Sequence, residues 1–412
     1  MAPYRLFGHV GRMSVGEAAQ ESRAGAISPR IFVLTMCTFA FGSAGFIFAG
    51  LLEPMAADLG VSTAVAGQLQ TAYVLTSAVL GPVAAWMLGR LDRKLVILLG
   101  LSLAVLMHIA CAIAPDFRSL MVVRAIAGVA GALSGSSASV AAASLAPPER
   151  RGSALAMVTG GMTLAFVVGI PIGSVVGSIF DWRATFVVAA ALAGLALAGV
   201  LFFLPRVPAP PKREGGRLEL KGIWPLYATS FLTFAANMTL NLYIGPIVRV
   251  GADVTGAGVA VFQSMIGFGA AMGLWLGGRA ADRGAGKAWI LQSIALQSLA
   301  MSMHWSATHH LLPPGLASQV LVAAAIFVAA TALFSISPVT QSRLVQMTGG
   351  APVALALNGS VFSMGQALGS TLGGVALASF GVPAIPAAAL LMSFVAFAVL
   401  SVAFPRTEKA PA

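Results

Sequence analysis

An arginine inside an apolar run is the residue with the clearest chemical potential. Arg124 stands in LMVVRAIAGVAGA, residues 120–132, with Gly128 and Gly131 four and seven positions on. On a helix these positions share one face, so the guanidinium is followed by small residues that permit close packing. A charge inside a spanning segment is costly and faces a cavity or a partner. The competing reading is a side chain that snorkels to the interface. Glu53, beside Pro54, closes another apolar run. A carboxylate in a low dielectric can bind and release protons near neutrality; an interfacial carboxylate at the external mouth is the alternative. A third group is polar and uncharged: Gln70, Tyr73, Asn237, Asn241, Gln263, Asn358 and Gln366. Amides among Phe and Met walls suit a neutral or amphipathic solute, although each can instead bond one helix to another.

The elements that hold these residues follow from composition. The chain has 412 residues, 58% hydrophobic and only 9% charged, with a mean hydropathy of +0.91. Soluble domains are about a quarter charged, so this is a polytopic membrane protein, and the net charge of +11 does not indicate nucleic acid. Cys37 and Cys111 both sit in apolar runs and imply no disulfide. Apolar runs of about 20 residues read as helices, because hydrocarbon cannot satisfy the backbone. Twelve are expected, at 31–52, 67–89, 95–114, 119–144, 152–178, 184–204, 223–247, 257–280, 288–306, 315–339, 352–379 and 383–404. The basic first thirty residues read as a soluble tail rather than a cleavable signal, because the following run is of spanning length.

PRVPAPPKREGGRLELKG, residues 205–222, combines prolines, glycines and charge and reads as a linker. The expected division is a tail (1–30), a six-helix bundle (31–204), the linker (205–222), a second bundle (223–404) and a short tail (405–412). About twenty lysines and arginines fall on the side of the N-terminal tail, against Arg118, Arg183 and Arg249 on the other. Both termini are therefore expected in the cytoplasm, across a bacterial inner membrane.

The halves repeat. LGRLDRKLVILLG (88–100) and GGRAADRGAGK (277–287) are short basic loops in corresponding places, near 195 residues apart. Gly161, Gly169, Gly173 and Gly177 of the fifth helix recur as Gly365, Gly369 and Gly373 of the eleventh. This is a parallel duplication.

Four stretches carry a family resemblance: FIFAGLLEPMAADLGVS (46–62), GRAADRGAGK (278–287), LMVVRAIAGVAGA (120–132), and GGMTLAFVVGIPIGSVVG (160–177) with DWRATF (181–186). Over residues 31–404 the chain resembles a major facilitator superfamily transporter of the twelve-helix drug or metabolite:proton antiporter type, similar to arabinose-exporter-like and chloramphenicol-exporter-like members. The resemblance implies an all-α integral membrane fold, with twelve helices in two pseudo-symmetric six-helix bundles around a central cavity. It implies a part for Arg124 in proton coupling; many relatives carry an acid about two turns before Glu53, where this chain has Ala44, Gly45 and Phe46, so Glu53 stands as coupling acid on its position alone. It implies a cytoplasmic latch from Arg90, Asp92, Arg93, Arg279, Asp282 and Arg283; a solvated basic loop is the plainer reading. In the first copy Gly89 stands where the family has its aspartate. The fifth-helix glycines with Gly169, Pro171, Gly173 and Gly177 resemble an antiporter motif associated with export, where small faces would let the halves rock.

The expectation is a secondary exporter of a small apolar or neutral polar compound by proton exchange and alternating access. The partners are the substrate, protons and the bilayer, and one chain suffices. An importer or proton-independent carrier of the same fold is the alternative, and a membrane sensor a remote one. No enzyme motif, phosphate loop, cofactor or metal site is expected; His304, His309 and His310 read as an exposed external loop.

Overall fold

The computed structural model of the chain describes residues 30–147, 151–208, 220–348 and 352–403. Both tails, Arg150 and most of the expected linker lie outside the described residues. All regular elements are helical. They form twelve units: α1 (Arg30–Phe46, continued by Leu52–Asp58), α2 (Thr63–Met87), α3 (Arg93–Ala112), α4 (Phe117–Leu145), α5 (Arg151–Leu164 and Ile170–Ile179), α6 (Trp182–Phe203), α7 (Leu220–Asn241 and Ile244–Ala252), α8 (Gly258–Asp282), α9 (Lys287–Thr308), α10 (Leu316–Thr348), α11 (Pro352–Phe380) and α12 (Ala384–Ala403).

Among the described residues, nine helices are long and apolar enough to cross a membrane, and the bent α7 pair makes ten. The other two, α2 and α9, have 25 and 22 residues. They are of spanning length but lose apolarity to polar side chains such as Gln68, Gln70 and Thr71, and Gln292, Gln297 and Ser298. Large apolar side chains cover the outside, with Phe202 76% and Val402 86% exposed. That surface suits lipid rather than water.

Side chains set the helix starts. Ser62 accepts from the Val65 amide, Asp92 from those of Lys94 and Leu95, and Asp181 from that of Arg183. Asp116 and Ser119 form a reciprocal capping box. The Ser119 amide, 2.8 Å away, holds the Asp116 carboxyl below the usual carboxylate range.

Three units are broken where function needs shape. In α5 a π-helical turn, Ala165–Gly169, precedes Pro171; the wider turn accommodates a residue with no N–H and a bulky ring. The two parts of α7 meet at 57°, and α1 passes through a tight turn at Ala49–Leu51.

The two sets of six helices pack in the same order. α1 lies on α5 and α6, α2 on α4, and α3 on α4 and α6; α7 lies on α11 and α12, α8 on α10, and α9 on α10 and α12. Matching lysines tie matching ends. Lys94 donates to the Leu201 and Leu204 carbonyls of the first half, and Lys287 to the Ser401 carbonyl of the second.

The structure departs from the sequence reading in three places. α10 runs past Pro338 to Thr348, rather than ending near 339; Arg343 there donates to the Gly284 and Ala285 carbonyls. His304 is not in a loop: it is fully buried inside α9, while His309 and His310 are exposed at its end. The α5 glycines face α1 of their own half, where added side chains would run into Thr38, Ser43, Ile47 and Leu51.

The α11 glycines make the same close approach to α7. A Cβ at Gly369 would strike the Ala235 carbonyl and stand 2.9 Å from the Thr239 amide nitrogen. Overpacking of this kind costs about 1–3 kcal/mol or more. Gly369→Leu is therefore expected to lower the melting temperature in detergent. Gly160→Ala, whose Cβ would meet nothing within 4 Å, is expected to leave it unchanged.

Candidate functional site

A cavity of about 490 Å³ lies between the halves, bordered by α1, α2, α4 and α5 on one side and α7, α8, α10 and α11 on the other. Six phenylalanines line it: Phe41, Phe46, Phe166, Phe234, Phe334 and Phe362. Their rings form a chain across the seam, with Phe46–Phe166 centroids 5.5 Å apart, Phe166–Phe334 5.6 Å, Phe334–Phe234 6.4 Å and Phe234–Phe362 3.9 Å. Among the described residues, no Asp, Glu, Lys, Arg or His lines it. Its polar groups are Tyr73, Asn237, Asn241, Gln366 and several hydroxyls, including Thr38, Ser77 and Ser363.

Of the seven expected cavity residues, then, four line it and three do not. Asn241 Nδ2 donates to Asn237 Oδ1, while Asn237 Nδ2 is buried without a partner. Gln70 turns to Arg124 instead, Gln263 accepts from Ser174 Oγ at 2.5 Å across the seam, and Asn358 accepts from Ser230 Oγ at 2.8 Å. In the sequence the lining was legible only as an expectation of Phe and Met walls. Which rings share one space depends on helix rotation.

Arg124 does not snorkel. Its surface is fully buried. Nη1 donates to the Ala44 carbonyl at 3.3 Å, and Nη2 to the Gly45 carbonyl and to Gln70 Oε1, both at 3.2 Å. The guanidinium carbon lies 4.4 Å from the Tyr73 ring centroid, 4.7 Å from that of Phe48 and 6.0 Å from that of Phe186. A cation among carbonyl dipoles and ring faces is stabilised without a counter-ion. Gly128 and Gly131 bring α4 against Tyr73, as their spacing suggested. Tyr73 and Gly45 touch both the arginine and the cavity, so the two are mechanically connected. Beside the arginine lies His108, buried in α3 and stacked on Phe186; the sequence reading passed over it, because a single histidine in an apolar run carries no spacing signal.

Contacts between the halves gather toward one end. Glu53 of α1 pairs with Arg249 of α7, so the expected coupling acid sits in an ion pair rather than beside Arg124. Thr71 and Thr371 hydroxyls approach to 3.3 Å. Ser174 meets Gln263, and Gly67 packs on the Tyr243 hydroxyl. The opposite end differs. Arg90, Arg279, Asp282 and Arg283 are exposed. Arg279 stacks on Trp275, with its guanidinium carbon 3.6 Å from the ring centroid. Asp92 caps its own helix, and Arg93 donates to the Gly89 carbonyl at 2.7 Å. Of the six expected latch residues, Asp92, Arg93 and Arg279 thus make local contacts, and the ion pairs among the described residues lie at the Glu53 end.

Gln70 supplies the one side-chain acceptor to Arg124. Gln70→Leu leaves a buried guanidinium short of a partner, at a cost of about 1–3 kcal/mol. It should lower thermal stability, and the Gln70→Leu/Arg124→Leu pair should recover part of the loss, because the buried charge goes with its acceptor. A fully additive double variant would count against this coupling.

Comparison with other proteins agrees with this architecture. The Major Facilitator Superfamily profile matches residues 34–350. The inner membrane transport protein YdhP of Escherichia coli strain K12 is 28% identical over 92% of this chain and 96% of its own. The chloramphenicol resistance protein of Streptomyces lividans is 30% identical over 78% of this chain and 82% of its own. Among solved structures, a D-xylose-proton symporter superposes with a TM-score of 0.74 at 16% identity, covering 92% of this chain and 98% of the other. Two matching six-helix sets around a cavity, together with a family match over most of the chain, identify the protein as a member of the Major Facilitator Superfamily of membrane transporters.

Proposed function

We propose that the protein exports a small apolar or neutral polar compound from a bacterial cytoplasm in exchange for protons. The observation that carries the substrate class is the cavity: aromatic walls, uncharged amides and hydroxyls, and no charged side chain in the lining. A charged solute would find no counter-ion there, whereas a flat apolar molecule with a carbonyl or hydroxyl group finds ring faces and the free Asn237 amide hydrogens. The chloramphenicol resistance protein of Streptomyces lividans, by its name, supports efflux of such a compound.

The basic loops assign the Asp282 end to the cytoplasm. On that assignment the halves meet on the external side, through Glu53–Arg249, Thr71–Thr371 and Ser174–Gln263, and the cavity is offered to the inside. Alternating access would break these contacts and bring the basic loops of the other end together, with Asp282, Arg279 and Arg283 as the inner latch. The two bundles, 31–204 and 223–404, would move as bodies, and the close α1–α5 and α7–α11 glycine contacts would keep each one stiff. The α5 surface that slides on the partner half is the one carrying Val167 and Ser174.

A proton-independent carrier is the second reading, favoured by the lack of a carboxylate in the cavity lining. Energetics permits coupling: a proton crossing 100 mV is worth about 2.3 kcal/mol. The deciding test uses inside-out vesicles with an imposed pH gradient and chloramphenicol as the first probe. Probe-dependent collapse of the gradient, present only with this protein, supports antiport; equilibration of labelled probe without proton movement supports the uncoupled carrier.

Two substitutions should separate binding from coupling. Asn237→Leu removes a hydrogen-bond donor from the wall and is expected to weaken probe affinity on the order of tenfold, read from concentration-dependent transport. Arg124→Ala should abolish gradient-driven export while leaving membrane insertion and probe binding largely intact. Wild-type export rates in Arg124→Ala would remove the arginine from the coupling path.

A further inference from the structure

His108 is a buried titratable group for which packing alone does not account. It is 1% exposed. Its Nδ1 lies 2.6 Å from the Ala104 carbonyl oxygen one turn back, so Nδ1–H donates and Nε2 keeps its lone pair. Nε2 is buried with no hydrogen-bond partner. The ring stacks on Phe186 with centroids 6.4 Å apart, and Phe186 also faces the Arg124 guanidinium. The Ala44 carbonyl that accepts from Arg124 Nη1 also faces the imidazole.

The duplication supplies an internal control. His304 on α9 repeats the arrangement: it is fully buried, Nδ1 is 2.8 Å from the Ala300 carbonyl, and Nε2 has no partner. Arg124 lies eight residues into α4, but the first fifteen residues of α10, LASQVLVAAAIFVAA, hold no lysine or arginine. The second half keeps the histidine without the cation.

We propose that His108 binds the exchanged proton at Nε2, and that its protonation displaces Arg124 from the carbonyls of α1. This rests on the antiport reading above. An imidazolium needs an acceptor for Nε2–H, and the Ala44 carbonyl that faces it is already held by the arginine. Two cations competing for one carbonyl in an apolar pocket repel each other, so the arrangement seen here belongs to the neutral imidazole. Facing His108 are Arg124 from α4, the Phe186 ring from α6 and the Ala44 carbonyl from α1, with Cys111 on its own helix. Gln70 and Tyr73 of α2 stand against the guanidinium. Moving the arginine alters Gly45 and Tyr73, which border the cavity. The conformation closed at the Glu53 end thus gives up the proton, which leaves to the inside. The alternate conformation, with Arg124 withdrawn, takes one from the outside. By linkage, low pH then favours the alternate conformation.

A substrate-free experiment tests this. In Thr71→Cys/Thr371→Cys protein, oxidative cross-linking reports closure of the Glu53 end. Normalised to a cysteine pair placed within one half, so that the pH dependence of thiol oxidation cancels, its yield should fall as pH drops from about 8 to about 5, and the fall should vanish in His108→Gln and His108→Phe backgrounds while persisting in His304→Gln. A pH-insensitive yield in the otherwise unaltered protein, or a wild-type response in the His108 variants, would overturn the proposal. Transport adds a second reading. In inside-out vesicles with chloramphenicol as probe, His108→Gln should lose gradient-driven accumulation but keep downhill equilibration. If vesicles with the unaltered protein fail to move the probe, the export reading falls for that compound, and the cross-linking result still decides on His108.

Discussion

Hydrocarbon offers no hydrogen-bond partner, so every backbone polar group in these helices has to be satisfied by the chain itself, and a polar side chain left unpaired there is costly. That constraint governs the rest of the protein. It makes the backbone helical and decides how the few polar side chains can be used. Buried serines and threonines mostly bond back to a carbonyl one turn earlier, as Thr233 does to Thr229 and Ser298 to Ile294. Others join helices, as Ser174 does to Gln263 and Ser230 to Asn358.

Arg124 meets the constraint in an unusual way. No carboxylate answers its charge. Instead α1 opens two carbonyls toward it where that helix loses regularity, and three rings present their faces. The cost of the buried cation is thereby tied to the shape of α1, whose next residues form the cavity wall. A change in charge beside the arginine and a change in the cavity become one structural event. Such an element can connect two sites without a long pathway, because Gly45 and Tyr73 belong to both.

The near-symmetry of the halves makes their differences informative. Lysines, glycine contacts and buried histidines recur in register, as expected of a duplicated unit under the same packing rules. The arginine and its glutamine do not recur. Polar chemistry that could drive the cycle is concentrated in the first half, whereas the second supplies the free cavity amide of Asn237. The seam between the halves combines helix packing of α2 on α11 and of α5 on α8 with polar contacts at one end.

Much of the protein was legible from the linear pattern. Apolar runs of spanning length placed the helices, because the lipid requirement acts on each segment separately, and the recurrence of loops and glycines exposed the duplication. Arg124 was visible because a charge in such a run is costly and must either snorkel or find a partner. Other properties depend on how helices rotate and pair, which no single segment encodes. Gln70, Gln263 and Asn358 looked like cavity amides, yet each found a neighbour on another helix. Glu53 looked available, yet Arg249, nearly two hundred residues away, holds it. The α5 glycines face their own half and not the seam, and His304 is core where its neighbours suggested a loop. His108 came to lie beside Arg124 only through folding. Local apolarity determined what the chain is; side-chain partners, chosen by three-dimensional packing, decided which of its polar residues are free to act.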